Sequence, residues 1–404
     1  MVGICHHNAF YQKEIQAVKN PTTVLGNLLS HFPRSEFEKS VQDLGTDLRV
    51  RTLSSYDLLK VMIYGQVTHA FSVREIESSL AAHGASLYHN GMKPVKRTTL
   101  CDALEKRNPG IFETAFNALV FKARILSANS GRRFRNPLKV IDASTIELCL
   151  SQFDWAKYRS TKGAVKLHVA LNGDHCFPEQ VLMTTGSVHE VNKMAELSQE
   201  SGTMYVYDRG YSDYKRLHDI NLSGSLFVIR MKDNCCYDVV RSISFSAEGA
   251  VRRDAVVRLT SEKSREKYPD EFRQVIYHDG EGGRDYVFMT NDCASSAQEI
   301  ADIYKARWQI ELFFRWIKQN LKIKTFWGTS RNAVFTQLWV ALTVFMLLWI
   351  AKNIDNMVAS PQRILQLLKT SLLEKRSIVA LLQGPPPPDL PDPSQILLQG
   401  LALA

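Results

Sequence analysis

From residue 296 to residue 321, apolar side chains return at three- and four-residue steps: Ile300, Ile303, Ile310, Phe314, Ile317 and Leu321. That period predicts one amphipathic helix, and Ser296 with Glu299 supplies an S-x-x-E capping box at its start. Beside the apolar stripe runs a polar one, Tyr304, Arg307, Glu311 and Lys318. A seven-residue step drifts only about 20° on a straight helix, so Tyr304, Glu311 and Lys318 nearly eclipse one another. Arg307 lies one turn before Glu311 on the same face. The predicted helix sets one carboxylate at the edge of a buried face, between two cations and a phenol.

Elsewhere the period changes. Residues 54–70 and 72–83 read as helices, the second opened by another capping box, Ser72 and Glu75. Residues 84–94 read as a loop, and a further helix begins at Thr98 or Thr99 with Lys96 and Arg97 at its entrance. This pair of helices is compatible with a helix-turn-helix reader of DNA and with a plain helical domain bearing a solvated basic edge. Strand patterns follow at residues 138–148, 164–171, 180–185 and 204–207, with a helix over 189–200 before the last. Further strand patterns fill residues 225–291: SLFVIRMK, AVVRLT, FRQVIYH and DYVFMTN. Residues 333–351 carry no charge and are nearly long enough to cross a bilayer. Thr336, Gln337 and Thr343 interrupt that run, and no second one exists, so a buried core helix is expected and no membrane partner. Residues 352–383 read as helical, and the proline run opening residues 384–404 predicts an extended tail.

A chain of 404 residues has room for two or three domains. Hydrophobic content of 45% and charged content of 23% are those of a soluble globular protein. The net charge of +9 favours a polyanionic partner. Seven cysteines, odd in number and without C-x-x-C spacing, suggest neither a disulfide framework nor a zinc site. The first residues lack the basic-then-apolar layout of a secretory signal, so the cytoplasm is the expected compartment.

The spacing Tyr304-x2-Arg307-x3-Glu311-x6-Lys318 resembles the YREK signature of bacterial insertion-sequence transposases of the insertion-sequence-four family, whose glutamate completes a DDE catalytic triad. The resemblance demands two strand-borne aspartates upstream. Asp142 follows Val140 and Ile141 in the first predicted strand, and Asp208 ends the strand YVYD. The implied fold is α/β, a ribonuclease-H-like catalytic core interrupted by a β-rich insertion, with an all-α N-terminal domain. The implied domains are a DNA-binding 1–130, a first core part 131–220, the insertion 221–294, a second core part 295–383 and the proline-rich tail 384–404.

Asp142, Asp208 and Glu311 would then be both catalytic residues and ligands of two Mg²⁺ ions, for which Mn²⁺ can substitute. Carboxylates brought together repel unless hard cations neutralise them, and paired ions stabilise the attacking and leaving oxygens of in-line phosphoryl transfer. The implied reaction cuts transposon ends and joins each freed 3′-OH to target DNA. Tyr304, Arg307 and Lys318 would hold DNA phosphates beside Glu311. Lys162 and Lys166, in the basic segment 153–168, read either as a solvated hairpin or as contacts to the DNA backbone. Arg209, in DRGY, would sit beside the second ligand, and Lys96 and Arg97 would serve the N-terminal domain. His168 has no second histidine at metal-binding spacing. The partners implied are double-stranded DNA (end repeats and target) and a second copy of the chain, at the bacterial nucleoid. Rival readings are a nuclease that only hydrolyses and a catalytically silent DNA-binding relative. An aromatic wedge for a flipped base is sought among Phe227, Tyr237, Phe245, Tyr268 and Phe272, and nothing in the sequence selects one.

Overall fold

The computed structural model describes residues 22–128, 130–244, 249–280 and 282–383. Cys5, Phe245 and the proline-rich tail lie outside them. Among the described residues seven helices come first: α1 (Val24–Leu29), α2 (Arg34–Asp43), α3 (Ser55–Val67), α4 (Val73–Ala82), α5 (Gly84–Leu87), α6 (Arg97–Lys106) and α7 (Gly110–Ala128). Ser54 and Ser72 cap α3 and α4 by accepting the N–H of Asp57 and Glu75, which fixes where each begins. The stretch 84–94, expected as a loop, holds α5 and a 3₁₀ turn at Tyr88–Asn90. That insertion separates α4 from α6 by more than a compact helix-turn-helix allows. Lys96 and Arg97 are exposed at the start of α6.

Then come β1 (Leu138–Leu148), β2 (Gly163–Asn172), β3 (Pro178–Thr185), α8 (Met194–Leu197), β4 (Met204–Tyr207), α9 (Tyr214–Leu222) and β5 (Leu226–Arg230). β6 (Tyr237–Ser242), β7 (Val251–Leu259), α10 (Glu262–Lys267), β8 (Phe272–Asp279) and β9 (Arg284–Thr290) follow. The strands form one nine-stranded sheet, β3-β2-β1-β4-β5-β9-β8-β7-β6. β4 runs parallel to β1 and to β5, while β2 is antiparallel to β1. Order and direction of the first five strands fit a ribonuclease-H-like core. Two expectations change here. Leu226–Arg230 lies in the stretch assigned to the insertion, yet it pairs in parallel with β4, and β9 then pairs with it, so β6–β9 extend the same sheet. The helix expected over 189–200 is a 3₁₀ turn, Glu190–Lys193, followed by the single turn of α8.

The chain ends in α11 (Ala297–Lys305), α12 (Trp308–Asn320), α13 (Arg331–Ile354), α14 (Pro361–Ser371) and α15 (Ile378–Gln383). The capping box at Ser296 and Glu299 is present. The single helix expected over 296–321 is not: it divides at Ala306 and Arg307. Both residues keep right-handed helical angles, but the bonds there run three residues back, Arg307 N–H to Tyr304 O at 3.0 Å and Ile310 N–H to Arg307 O at 3.3 Å. This tightened turn breaks the eclipse expected of Tyr304 with Glu311 and Lys318.

The uncharged segment 333–351 forms most of α13, which is buried against α7 and α3. It is long and apolar enough to cross a membrane, but the protein itself covers it. Its polar Gln337 organises the loop that follows α12. The Gln337 amide donates to Lys322 O at 2.7 Å and Thr325 O at 2.8 Å, and its oxygen accepts the Trp327 N–H at 2.9 Å. Gln66 of α3 clamps the same loop, accepting the Lys322 N–H at 2.8 Å. Gln337→Leu would leave the Thr325 carbonyl and the Trp327 N–H without this partner, Lys322 O keeping its bond from Gln66, so we expect a loss of about 2 kcal/mol or more, read as a lower urea midpoint. An unshifted midpoint would show that the clamp is dispensable.

Candidate active site

Parallel pairing of β1 with β4 sets Ile141 opposite Tyr207. The next residues are Asp142 and Asp208, so the two aspartates stand on neighbouring strands, whose backbones run about 5 Å apart, where β4 ends. β4 stops there because Asp208 opens a 3₁₀ turn, Arg209–Tyr211. α12 packs across β1 and brings the third carboxylate. Lys318 fastens this contact, its ammonium donating to Thr145 O at 3.0 Å.

Arg307 joins the three. Its guanidinium donates to Glu311 and lies 4.0 Å from the Asp142 carboxylate. Burial works against that charge, but Tyr304, Glu311 and Asp208 hold Arg307 above its ordinary pKa. Asp142 feels the opposite balance. Burial pushes its carboxyl up to about 6; the Ala143 N–H and Arg307 pull it down, while Glu190 and Asp208 push it further up. Three carboxylates around one guanidinium leave a residual negative charge that a cation would neutralise.

The structure brings Asp142, Asp208, Glu311 and Arg307 together, and treats the other expected contacts differently. Tyr304 is packed rather than open: its ring lies 4.6 Å from that of Phe288, and burial pushes its phenol up to about 12. Lys318 is held by Thr145, not presented as a free point charge. Lys166 is buried, with its ammonium 3.0 Å from Val188 O and 3.3 Å from Glu190, which corrects its assignment as a contact to DNA. Lys162 is exposed and 3.6 Å from Glu147; Arg209 is exposed and 3.5 Å from Asp233. His168 is fully buried against Thr184, and burial lowers it to about 4. Of the aromatic wedge candidates, Phe227, Tyr268 and Phe272 are buried in the sheet's core.

Sequence reasoning missed Glu190, whose charge adds to the upward push on the Asp142 carboxyl. It lies in the turn after β3, inside a stretch with the composition of an ordinary helix, and no motif marked it.

Hard oxygen donors are the ligands Mg²⁺ and Mn²⁺ take, so the donor chemistry fits a divalent ion. The half-buried Asp142, its carboxyl pushed upward, fits one as well. Among the described residues, however, no three acidic, histidine or cysteine side chains are gathered tightly enough to hold an ion. Arg307 stands between Asp142 and Glu311.

Asp142 within β1, Asp208 just past the end of the parallel β4 and Glu311 on the helix packed across β1 stand on a sheet whose first five strands fit a ribonuclease-H-like core. The chain belongs to the transposase DDE domain family, which it matches over residues 134–347. Residues 20–93 match a second family, a domain of unknown function (DUF4372). A Geobacillus stearothermophilus protein named as the transposase of insertion sequence element IS5377 is 37% identical over 218 residues, 54% of this chain and 57% of that protein. The chain thus spans little more than half the length of that relative. A Sinorhizobium fredii protein named as transposase y4zB is 35% identical over 294 residues, 71% of this chain and 80% of that one. The cryo-EM structure of a piggyBac transposase synaptic complex with hairpin DNA aligns over 96% of this chain and 85% of its own at 12% identity, with a TM-score of 0.46. The relatives are bacterial insertion-sequence transposases, and the chain stands among them.

Proposed function

We propose that the protein cuts DNA at the ends of its element and joins the freed 3′-OH to target DNA, as a member of the insertion-sequence-four group with the Tyr304-Arg307-Glu311-Lys318 signature. The observation that carries this reading is the meeting of Asp142, Asp208 and Glu311 around the single guanidinium of Arg307. Asp142, Asp208 and Glu311 would hold two Mg²⁺ ions, with Mn²⁺ able to replace them. Bound there, the ions supply charge stabilisation for the attacking and leaving oxygens of the displacement.

The chain's own groups do the rest. Arg307, once released from Glu311, presents a planar fork to a phosphate. Tyr304 backs that guanidinium with its ring, 5.9 Å away. Lys318 keeps Glu311 over β1 by holding Thr145. The exposed Arg209, next to Asp208, and the exposed Lys162, by the far end of β1, would take the DNA backbone, while Lys96 and Arg97 would serve end recognition in the helical N-terminal part. Two copies acting on paired ends form the working assembly in this reading.

Strand joining separates transposition from hydrolysis. Supplied with a pre-cleaved end bearing a 3′-OH, a supercoiled target and Mg²⁺, the protein is expected to give a covalently joined product on a sequencing gel. Nicked target with no joined strand would instead mark a nuclease.

A further inference from the structure

The strand register that places the two aspartates places a cation beside them. Ile141 lies opposite Tyr207, and Tyr207 opposite Ile229, so the residues that follow, Asp142, Asp208 and Arg230, form one row across β1, β4 and β5. Side chains alternate along a strand, and Asp208 keeps an extended backbone just past the end of β4. Val140, Val206 and Val228, each two residues earlier, all lie in the apolar cluster that also takes in α11 and α12. Arg230 therefore stands on the same face of the sheet as Asp142 and Asp208. Its guanidinium lies 5.2 Å from the centre of the Tyr286 ring on β9, and it pairs with no carboxylate among the described residues.

Tyr286 belongs to a longer arrangement that starts at the site. Arg307 lies 5.9 Å from the Tyr304 ring, Tyr304 4.6 Å from Phe288, and Phe288 6.1 Å from Tyr286, to which it is nearly parallel. The exposed Arg284 stands 4.9 Å from the same Tyr286 ring. On the next strand Tyr277 pairs with Tyr286, and the exposed Lys305, at the end of α11, lies 5.2 Å from the Tyr277 ring and donates to its hydroxyl at 3.3 Å. Of the acids on these elements, Asp302 is 3.9 Å from Lys305 and Asp279 faces Arg284 across the strand pair. Arg230 pairs with neither. A cation resting on an exposed ring contributes little to stability, and two guanidiniums gathered at one ring repel each other. The fold gains from such a cluster when an anion binds it.

We propose that Arg230, Arg284 and Lys305, backed by Tyr286 and Tyr277, form a track that binds the phosphate backbone of DNA as it leaves the active site across β5, β9 and β8. The inference rests on the reading of the site as one that acts on DNA, and it names a surface outside both the signature and the helical N-terminal part. A guanidinium stacked on a ring keeps its N–H edge free, so Tyr286 holds two forks in place for phosphate without using their donors. Held in advance, these long side chains lose less freedom when the ligand arrives. A row of cations that begins beside Asp208 fits a linear polyanion already passing the two aspartates, and an acidic protein partner would have no such reason to lie there.

The test is binding of the full-length protein to a labelled duplex carrying its element end and flanking DNA, and to an unrelated duplex, in EDTA so that no strand is cut. Affinity is measured at several salt concentrations. Each lost phosphate contact should lower the slope of log affinity against log salt by about one and weaken both duplexes alike. Arg230→Gln and Arg284→Gln are each expected to weaken binding about tenfold, and Lys305→Gln by less, since Asp302 already stands near it. Tyr286→Phe keeps the ring and should bind as wild type, whereas Tyr286→Leu should lose as much as either arginine variant. Arg258→Gln removes a cation already paired with Glu271 at 2.7 Å and should leave the slope unchanged. Unaltered melting temperatures certify that the variants are folded. Wild-type affinity and slope in the double variant Arg230→Gln/Arg284→Gln overturn the proposal and assign the track to a protein partner. Equal losses in Arg258→Gln overturn it as well, reducing it to an effect of net charge. A wild-type protein without affinity for either duplex overturns instead the reading of the site as one that acts on DNA.

Discussion

Glu311→Gln is expected to lower strand cleavage by on the order of 10³-fold or more while end binding stays within about twofold. The amide oxygen can still accept from Arg307, so α12 keeps its position on β1 through that bond and through Lys318. What is lost is one negative charge among three, and with it the field that holds a cation against phosphate. Gel-shift titration and a cleavage assay on the same labelled DNA end separate the two effects. Cleavage at the wild-type rate would remove Glu311 from the chemistry. Binding lost in parallel with cleavage would recast it as an anchor for Arg307.

The second large effect is on stability, and its sign is opposite to that of most buried substitutions. In the folded protein the Asp142 carboxyl is raised from 3.8 to about 6, with burial the leading cause. Between those values the unfolded chain releases the proton and the folded chain keeps it, so wild-type stability falls as pH rises through this window and stays lower above it. Asp142→Asn carries no such penalty, and its side-chain oxygen can still accept the Ala143 N–H that Asp142 accepts at 2.8 Å. In EDTA the variant should therefore be more stable than wild type by on the order of 2 kcal/mol at pH 8 and no different near pH 3.8, while being inactive in cleavage. Melting curves at the two pH values check this. A variant less stable than wild type at pH 8 would mean that Arg307 compensates the carboxylate fully. Sites that trade stability for reactivity behave in this way.

Much of this arrangement was legible in the sequence. β1 and β4 run over the residues their β-branched and aromatic pattern indicated, because both are interior strands buried among apolar neighbours. β6 escaped notice because it is an outer strand with an exposed, polar face, and burial is what writes alternation into a sequence. The division between α11 and α12 was invisible for a different reason. Ala306 and Arg307 are ordinary helix formers with helical angles, and the seven-residue step from Ile303 to Ile310 fits a continuous helix as well as a tightened one. At the site, spacing alone paired Arg307 with Glu311, but the approach of Arg307 to Asp142 joins residues far apart in the chain. The turn of Glu190, whose charge acts on Asp142, packs against the turn after Asp208, a relation that no local pattern encodes.

The burial of α13 fixes an order of events in the making of this protein. Its apolar surface is the floor on which α3 and α7, synthesised far earlier, come to rest, and Gln66 completes its bonds only with backbone groups at Lys322 and Gln337. The amino-terminal helices therefore leave the ribosome with a face that has nothing to cover it until some two hundred further residues have been added, a wait of about 10–40 s at ordinary elongation rates. Over that interval the nascent chain must be shielded by chaperones or risk association with its neighbours, which ties the yield of competent enzyme to the capacity of the cell's folding machinery.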